Sequence, residues 1–278
     1  MHFAIIVSKK DIAGMNIRKN LLEMFDFSEN GEFPGSKTYS LNSDKNMVTL
    51  YTIDGDTIVF EAAEQEIEAD YFIFATRHQS KSGEKTLSVH FPGNFGEASD
   101  YGGRTGELCT APAGLLKEGF KLLSASEDIG FSITLEATHH GPFIRKPVLF
   151  IEIGSREEQW SDARAGKITA KIIIEMIKNY NPEKKYETAI GFGGTHYCNS
   201  FNRAEASREI AMSHICPKHS ISQLDETMVK KMIDSTHEKV DYALIDWKGM
   251  SADDRNRVIG ILDNLGVEWK KTKGLGTE

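Results

Sequence analysis

Apolar residues recur along the chain in two spacings, and these separate predicted strands from predicted helices. Apolar positions every three to four residues predict amphipathic helices at 12–25, 113–125, 163–179 and 252–265. Compact apolar runs, which indicate buried strands, follow an N-terminal strand and cover residues 70–75, 86–91, 130–137, 147–153, 187–192 and 241–245. Their alternation predicts an α/β fold with a mostly parallel mixed sheet and helices on both faces.

Residues at the ends of the predicted helices support these boundaries. Asp11, Asp162 and Ser251 stand just before three of them, where a side-chain oxygen caps the first turn. Pro112 precedes the second helix and suits its first turn, and Gly266 follows the last helix, where glycine favours termination. We therefore expect these helices to begin and end close to the predicted positions.

The segment 36–60 departs from the alternation of strands and helices. Apolar stretches at 47–53 and 57–60 flank an Asp-Gly-Asp sequence at 54–56, which is a turn signal of the hairpin kind. We expect a small antiparallel excursion there. No internal repeat, low-complexity tract or Pro/Ser-rich linker appears, so residues 1–278 are expected to form a single domain.

Composition and charge narrow the class of protein. Hydrophobic residues make up 40% of the 278 residues and charged residues 27%, as in ordinary globular proteins. The N-terminus reads as a first strand rather than a signal peptide, no apolar run is long enough to span a membrane, and three scattered cysteines suit a reducing compartment. We expect a cytoplasmic monomer with no membrane partner. The net charge of −8 opposes indiscriminate nucleic-acid binding but leaves room for a local basic groove.

Histidines and one glutamate follow or end several of the predicted strands. The set is His78, His90, His139, His140, Glu152 and His196. Because the carboxyl ends of parallel strands lie along one edge of a sheet, we expect these side chains to converge. Imidazole and carboxylate together suit a borderline divalent ion such as zinc, and such sites with an open water position are typically catalytic.

This set of side chains, with a bound metal ion, predicts an enzyme that catalyses hydrolysis. A cation lowers the pKa of a bound water to about 7 and polarises a carbonyl oxygen at the same time. Neighbouring side chains alternate faces along a strand, so His139 and His140 cannot point the same way if the strand continues through them. One of the two is then expected to bind the metal and the other to support it. The segment 214–219 contains histidines but lacks a second metal-binding element, and Cys216 is expected to be a small buried residue.

Other reaction classes find little support in the sequence. No G-x-S-x-G nucleophile motif precedes a helix, and Cys198 is a lone cysteine without an evident activating partner. The glycine-rich segment 191–194 lacks the spacing of a dinucleotide fingerprint or a P-loop. We therefore expect no nucleotide cofactor.

The chain resembles a known family, the archaeal and plant type of D-aminoacyl-tRNA deacylase, the zinc-dependent second class. The segments that carry the resemblance are VSKKDIAGMNI at 7–17, RHQSKSG at 77–83, VHFPGN at 89–94, THHGP at 138–142, EIGSREEQW at 152–160, GGTHY at 193–197, HICPK at 214–218 and DWKG at 246–249. They follow one another in order over nearly the whole chain. Such agreement is specific.

The resemblance implies a fold like that of phosphorylases and peptidyl-tRNA hydrolases, bound zinc, and hydrolysis of the ester between a D-amino acid and the tRNA 3′ end. The residues that the resemblance carries over as the site are His78, His90, His139, His140, Glu152 and His196. From residue chemistry and strand position, we expect the metal ligands to be His78, His90, His139, Glu152 and His196. The implied catalytic residues are Glu152, His140 and His196, with Glu152 as ligand or general base and a histidine assisting the leaving ribose oxygen. Candidates to bind phosphates of the acceptor end are Arg77, Lys218, Lys248 and Arg203.

Two other functions remain open at this point. A zinc-dependent peptidase or amidase of similar architecture could use the same metal site to cleave an amide. A non-catalytic protein that binds the tRNA acceptor end is the other alternative, although such a protein needs exposed aromatic or basic platforms. The distinctive residues here are instead titratable groups at strand ends, which favours an enzyme.

Overall fold

The computed structural model describes residues 1–43, 45–207 and 209–273. Its strands are β1 (His2–Ser8), β2 (Ser28–Phe33), β3 (Ser36–Ser43), β4 (Asn46–Ile53), β5 (Tyr71–Gln79), β6 (Thr86–His90), β7 (Ser132–Leu135), β8 (Val148–Ser155), β9 (Glu187–Phe192), β10 (Ile210–Cys216), β11 (Tyr242–Ile245) and β12 (Trp269–Lys271). Its helices are α1 (Ile12–Met24), α2 (Ala63–Glu66), α3 (Ala113–Ser124), α4 (Glu157–Trp160), α5 (Ala163–Asn179), α6 (Asn199–Ala206), α7 (Glu226–Asp234) and α8 (Ala252–Leu265). Two 3-10 turns cover Thr57–Val59 and Lys218–Gln223. The predicted mixed α/β class is confirmed.

The described strands divide between two sheets. One has the order β2-β3-β4-β1-β5-β8-β6-β7 and the other the order β10-β9-β11-β12. All pairings in the smaller sheet are parallel, and in the larger sheet β1, β4, β5 and β8 are mutually parallel. Backbone N–H groups of Ala137 and Thr138 donate to the carbonyl oxygens of His196 and Ile215. These hydrogen bonds join the loop after β7 to the smaller sheet.

Helices cover the two sheets differently. Helices α1, α3 and α5 pack on one face of the larger sheet, and α5 buries Ile173, Met176 and Ile177 there. The opposite face of that sheet carries Phe72 and Phe150 and packs against short segments that include α2. In the smaller sheet, α6 lies on one face and α7 and α8 lie on the other. Strands β5 and β8 are buried on both faces, which explains their nearly continuous apolar sequences.

The predicted helix ends are confirmed. The carboxylates of Asp11 and Asp162 and the hydroxyl of Ser251 accept hydrogen bonds from backbone N–H groups in the first turns of α1, α5 and α8. Gly266 ends α8 with a φ of 65°, a left-handed conformation that glycine adopts without strain. No helix in the described part of the chain is long and apolar enough to cross a membrane.

The antiparallel excursion at 36–60 forms, but with a different turn from the predicted one. Strands β3 and β4 pair in antiparallel fashion, so the chain reverses between Ser43 and Asn46. The Asp-Gly-Asp segment at 54–56 instead follows the end of β4, and a 3-10 turn comes next. The predicted hairpin at that segment was wrong, because β4 pairs with β3 on one side and with β1 on the other and has no free edge for a segment after 56.

A buried ammonium group fixes α3 to the smaller sheet. Lys117 of α3 is 2% exposed, and its Nζ donates to the carbonyl oxygens of Glu205, Ser207 and Ile210, the last at 2.6 Å. The Glu205 carboxylate is also buried and accepts a hydrogen bond from the Met212 N–H at 2.7 Å. Because α6 begins two residues after Tyr197, this contact also anchors the helix that follows the loop of His196.

Candidate active site

The predicted site residues converge on one face of the larger sheet. Successive residues of a strand point to opposite faces, so Thr76 and His78 of β5 continue the face on which Phe72 and Phe74 are buried. Glu152 of β8 pairs with Thr76 and lies on the same face. The apolar face therefore becomes polar towards the carboxyl ends of β5 and β8.

Strand β6 brings His90 to this face by an unexpected route. A shared edge of parallel carboxyl ends was predicted, but β6 runs antiparallel to β8. Ser88 pairs with Glu152 and His90 pairs with Phe150, so His90 lies two positions along the same face. For His90, the prediction of a shared carboxyl edge was wrong, and the pleat of the sheet, not the strand direction, places it in the site.

Glu136 lies at the centre of the cluster. It is buried directly after β7, and its Oε2 lies 2.9 Å from His196 Nε2, 3.1 Å from His78 Nδ1 and 3.6 Å from His139 Nε2. Its Oε1 accepts a hydrogen bond from Ser88 Oγ at 2.5 Å. One carboxylate thus joins β5, β6 and the loops that follow β7 and β9.

Glu152 forms a second, adjacent centre. Thr76 Oγ1 donates a hydrogen bond to Glu152 Oε1 at 2.6 Å. Glu152 Oε2 lies 3.5 Å from His78 Nδ1 and 3.6 Å from His90 Nε2. His78 therefore lies between the two buried carboxylates and contacts both.

The rings of His139 and His140 both reach the cluster. Strand β7 ends at Leu135, so the alternation of faces does not extend to the two histidines. His140 turns back with a φ of 47°, and the two ring centroids are 4.3 Å apart. The His90 ring lies 4.5 Å from that of His139 and 4.9 Å from that of His140. Since the strand does not continue to His139 and His140, the alternation expected for a continuing strand does not apply to them.

Backbone carbonyl groups fix the protonation of three of the rings. The Nδ1 atoms of three histidines lie 3.3, 2.8 and 2.6 Å from carbonyl oxygens, in the pairs His90–Phe91, His139–Ala137 and His140–Gly141. A carbonyl oxygen only accepts hydrogen bonds, so each neutral ring carries its proton on Nδ1 and a lone pair on Nε2. Metal-binding histidines are usually supported in this way.

The lone pairs inside the cluster face other acceptors. Nε2 of His139 faces Glu136 Oε2 and Nε2 of His90 faces Glu152 Oε2, each at 3.6 Å. Within the described residues, His90 Nε2, His196 Nε2 and Glu136 Oε2 are buried without a hydrogen-bond partner. Burying unpaired acceptors is costly, and a cation between them removes that cost. These side chains therefore fit a metal ion.

The ligand atoms that could share a cation fall into three groups. Atoms within 4.8 Å of one another come from His78, Glu136 and His196, from His90, His139 and His140, and from His90, Glu136 and Glu152. Imidazole and carboxylate are donors that zinc accepts. The geometry thus offers more than one position for an ion.

The two buried carboxylates attract positive charge. Burial and the charge of Glu136 raise the pKa of Glu152, but contacts with neighbouring histidines outweigh them and lower it to about 2. Burial lowers the pKa of His78, yet Glu136 and Glu152 raise it to about 11. Burial lowers the pKa of His140 to about 4 and holds that of His139 well below its usual value. His139 and His140 are therefore neutral, the form that binds metals.

A cavity of about 1170 Å³ opens beside the cluster. His78, His139, His140, Glu152 and His196 line it, together with residues from the loops after β5 and β8. The His139 and His196 side chains are 30% and 37% exposed, so a molecule in the cavity can reach them. The cluster is thus buried on the sheet side and accessible on the cavity side.

Of the four predicted phosphate-binding residues, one lines the cavity and three lie outside it. Arg77 lines the cavity. Lys218, Lys248 and Arg203 are exposed and do not line it; they lie in the 3-10 turn after β10, in the turn after β11 and in α6. Their roles in binding phosphate stay predictions.

The doubtful metal loop at 214–219 is not part of the cluster. His214 is buried in β10, with Nδ1 3.1 Å from Thr138 Oγ1 and Nε2 2.9 Å from the Cys109 carbonyl oxygen. Both ring nitrogens are thus occupied. Cys216 is buried in an apolar cluster, which confirms its predicted role as a small core residue.

Glu136 was missed from the sequence. It stands three residues before His139, after the apolar strand β7, and only its burial and its contacts distinguish it from a surface glutamate. A usable signal was present, because an acidic residue at the end of a buried strand requires a partner. The neighbouring pair of histidines was the more conspicuous feature.

The fold and the cluster define an α/β protein with a buried centre of five histidines and two glutamates, a donor set that binds divalent metals in hydrolases. A family model described as D-aminoacyl-tRNA deacylase matches residues 65–270. Relatives named D-aminoacyl-tRNA deacylase include one from Thermococcus kodakarensis, 34% identical over 95% of this chain and 98% of its own length. Another, from Methanocaldococcus jannaschii, is 34% identical over 98% of this chain and all of its own length. The chain belongs to the D-aminoacyl-tRNA deacylase family.

A solved structure supports the fold over the same length. The crystal structure of AF0625, described as a conserved protein of unknown function, matches with a TM-score of 0.86 and 29% sequence identity. The match covers 99% of this chain and 96% of that one. The arrangement of both sheets is therefore shared with an experimentally determined structure.

Proposed function

We propose that this protein hydrolyses D-aminoacyl-tRNA with the help of zinc held by the histidine–glutamate cluster. Water attacks the carbonyl carbon of the ester, the bond from that carbon to the ribose oxygen breaks, and free D-amino acid and tRNA are released. Family membership supports the substrate and the reaction. The observation that carries the metal is that His90 Nε2, His196 Nε2 and Glu136 Oε2 are buried without a hydrogen-bond partner among the described residues, each within 3.6 Å of another possible ligand atom.

Two groups of side chains would hold the metal. His78, Glu136 and His196 form one, and the group of His90, His139 and His140 forms the other. A bound zinc ion supplies positive charge that favours deprotonation of water and polarises the ester carbonyl. The backbone carbonyls that fix the second group keep its Nε2 atoms directed at the cluster.

Glu152 is the residue best placed to move a proton. Thr76 donates to its Oε1, its Oε2 lies beside His78 and His90, and the residue lines the cavity. In this proposal Glu152 Oε2 takes the proton of the attacking water and returns it to the leaving ribose oxygen, so that no proton is gained or lost. For His140 and His196, which also line the cavity, the expected role in proton transfer stays a prediction.

The cavity suits the acceptor end of tRNA. Its volume of about 1170 Å³ is slightly larger than the roughly 300–1,000 Å³ of pockets for small ligands. An aminoacylated terminal nucleotide fills such a space more completely than an amino acid does. The amino acid then lies against the cluster and the nucleotide extends towards the opening.

Removal of the metal is the first test. Dialysis against a chelator should lower kcat for D-aminoacyl-tRNA by at least about 100-fold, because the cluster then lacks its cation. Added zinc should restore the rate. The released D-amino acid is measured over time, with buffer alone as the control for spontaneous hydrolysis. Metal-free protein that turns over at the full rate would remove zinc from the proposal.

Parallel substrates separate the remaining functions. D-aminoacyl-tRNA should be hydrolysed faster than L-aminoacyl-tRNA, and small peptides should stay intact. Peptide cleavage with inert D-aminoacyl-tRNA would replace the proposal with a zinc peptidase or amidase. Tight binding of D-aminoacyl-tRNA by zinc-loaded protein without turnover would indicate a non-catalytic acceptor-end binder.

Thr76 should influence zinc affinity although it is not itself a proposed metal ligand. Valine has nearly the same shape, so Thr76→Val removes only the hydrogen bond that orients Glu152, and zinc affinity should fall about 10-fold to 100-fold. The affinity is measured by competition with a chromophoric chelator. Thr169→Val is the matched control, because the buried Thr169 hydroxyl in α5 has no hydrogen-bond partner among the described residues. Equal zinc affinity in both variants would contradict the prediction.

A further inference from the structure

Three basic side chains other than histidines line the cavity, which is also lined by the acidic residues Asp11, Asp56, Glu152 and Glu157. The basic ones are Arg77, Lys81 and Arg156, and we call these three residues the basic wall. Arg77 precedes His78 in β5, Lys81 follows that strand, and Arg156 directly follows β8. The basic wall therefore belongs to the same two strands that carry His78 and Glu152.

The charges of the basic wall have no acidic partner. Within residues 1–43, 45–207 and 209–273, none of the three forms an ion pair with a carboxylate. By contrast, Lys10 lies 3.9 Å from Asp56, a residue that also lines the cavity. Unpaired Arg and Lys side chains around a cavity are typical of sites that bind phosphate or carboxylate.

Local contacts hold the two guanidinium groups and leave N–H donors for a ligand. Arg77 Nη1 donates to a backbone carbonyl of the loop after β1 at 3.0 Å, and its guanidinium lies over Trp160, 5.4 Å from the ring centroid. Arg156 Nη2 donates to the Lys81 carbonyl at 3.2 Å. Gly83 leaves room for this group, because a Cβ there would lie 2.9 Å from Arg156 Cζ. Each guanidinium has five N–H donors, so most of them stay available.

We propose that the basic wall binds the backbone phosphates of the last nucleotides at the tRNA 3′ end. This inference rests on the proposed function, because an ester bond at the cluster brings the phosphate next to the terminal ribose into the same cavity. Apart from histidines, the basic wall supplies the basic side chains that line that cavity in the described chain. The acceptor end is then held by Arg77, Lys81 and Arg156 and not by the predicted residues outside the cavity.

Two substrates that differ in their phosphates test the assignment. D-aminoacyl-adenosine carries the ester and the terminal nucleoside but no phosphate, whereas D-aminoacyl-tRNA carries both. Lys81→Gln and Arg156→Gln should each raise KM for D-aminoacyl-tRNA about tenfold with kcat unchanged, since each removes a charge-assisted contact. Neither should change the kinetics with D-aminoacyl-adenosine. The logarithmic salt dependence of KM should fall by about 0.7 for each charge removed.

Matched variants control for charge and for folding. Lys167→Gln removes an exposed charge on α5 away from the cavity, and its KM should equal that of the wild type. Lys81→Arg and Arg156→Lys keep the charge and should restore most of the lost affinity. An unchanged KM in Lys81→Gln, Arg156→Gln and Arg77→Gln would overturn the proposal. Equal losses with both substrates would also overturn it, because the wall would then shape the site and not bind phosphate.

Binding of uncharged tRNA separates this inference from the proposed function. Fluorescence anisotropy with zinc-loaded protein gives the Kd for wild type and for the triple variant of Arg77, Lys81 and Arg156 to Gln. Binding that weakens by more than tenfold in the triple variant would support the basic wall even if the wild type failed to hydrolyse the ester. Equal Kd values for the wild type and the triple variant would refute phosphate binding by the basic wall, even if hydrolysis proceeded normally.

Discussion

Glu136→Gln should lower kcat for D-aminoacyl-tRNA by between about 100-fold and 10,000-fold, with little change in the fold. Glutamine keeps the shape of the side chain and the contact with Ser88, but it removes the negative charge that three histidines share. Without that charge, the cluster has a weaker attraction for a cation. The measurements are kcat and the zinc content of the purified variant.

The control for this prediction is another buried glutamate. Glu118 of α3 is 4% exposed and accepts hydrogen bonds from Lys184 and Tyr186, away from the cluster. Glu118→Gln should lower the free energy of unfolding by about 1–3 kcal/mol while kcat stays within about twofold of wild type. If Glu136→Gln kept the full kcat and the full zinc content, Glu136 would not belong to the active site.

Lys117→Met should lower the free energy of unfolding by about 3–5 kcal/mol. The ammonium group donates to three backbone carbonyl oxygens, and methionine fills the space without replacing those hydrogen bonds. Urea unfolding followed by circular dichroism measures the change. Lys121→Met, one turn later on the exposed side of α3, should change stability by less than about 0.5 kcal/mol.

The loss of unfolding free energy caused by Lys117→Met should depend on pH. Burial raises the pKa of Glu205 from 4.5 to about 7, and the positive charge of Lys117 acts in the opposite direction. A carboxyl with a raised pKa stabilises the fold below pH 4.5 and loses that contribution as pH rises through about 7. Lys117→Met should raise this pKa further, so the loss of stability should be larger at about pH 8 than at about pH 5. If the loss of stability were independent of pH, the charge of Lys117 would not influence the pKa of Glu205.

Local sequence patterns predicted some helices and strands well and missed others. Helices α1, α3, α5 and α8 have strong apolar stripes and end signals, and their predicted bounds agree with the structure to within about one residue. Elements that lack such signals were missed. Strand β2 is almost entirely polar and exposed and pairs only with β3, while α6 is short and polar. Their conformation depends on partners elsewhere in the chain.

The site was predicted only in part, because some of its contacts also depend on residues far apart in the chain. Residue type and position at the end of a predicted strand brought His78, His90, Glu152 and His196 into the predicted cluster, although the shared carboxyl edge was wrong for His90. The strands that carry the site were expected to be parallel, so the reversed direction of β6 was missed, and so was the central position of Glu136. Strand direction and contacts between loops depend on residues far apart in the chain, and no local pattern encodes them.

The sequence by itself determined the mixed α/β class, the main helices and strands, the family and most of the titratable residues of the site, because these depend on periodicity and residue type. Only the tertiary structure decided that the strands form two sheets, that Glu136 joins His78, His139 and His196, and that Arg77 lines the same cavity as Lys81 and Arg156. The physical reason is that each of these arrangements arises where separate segments pack together. The histidines at the strand ends could be found from the sequence, but the carboxylate that unites them needed the fold.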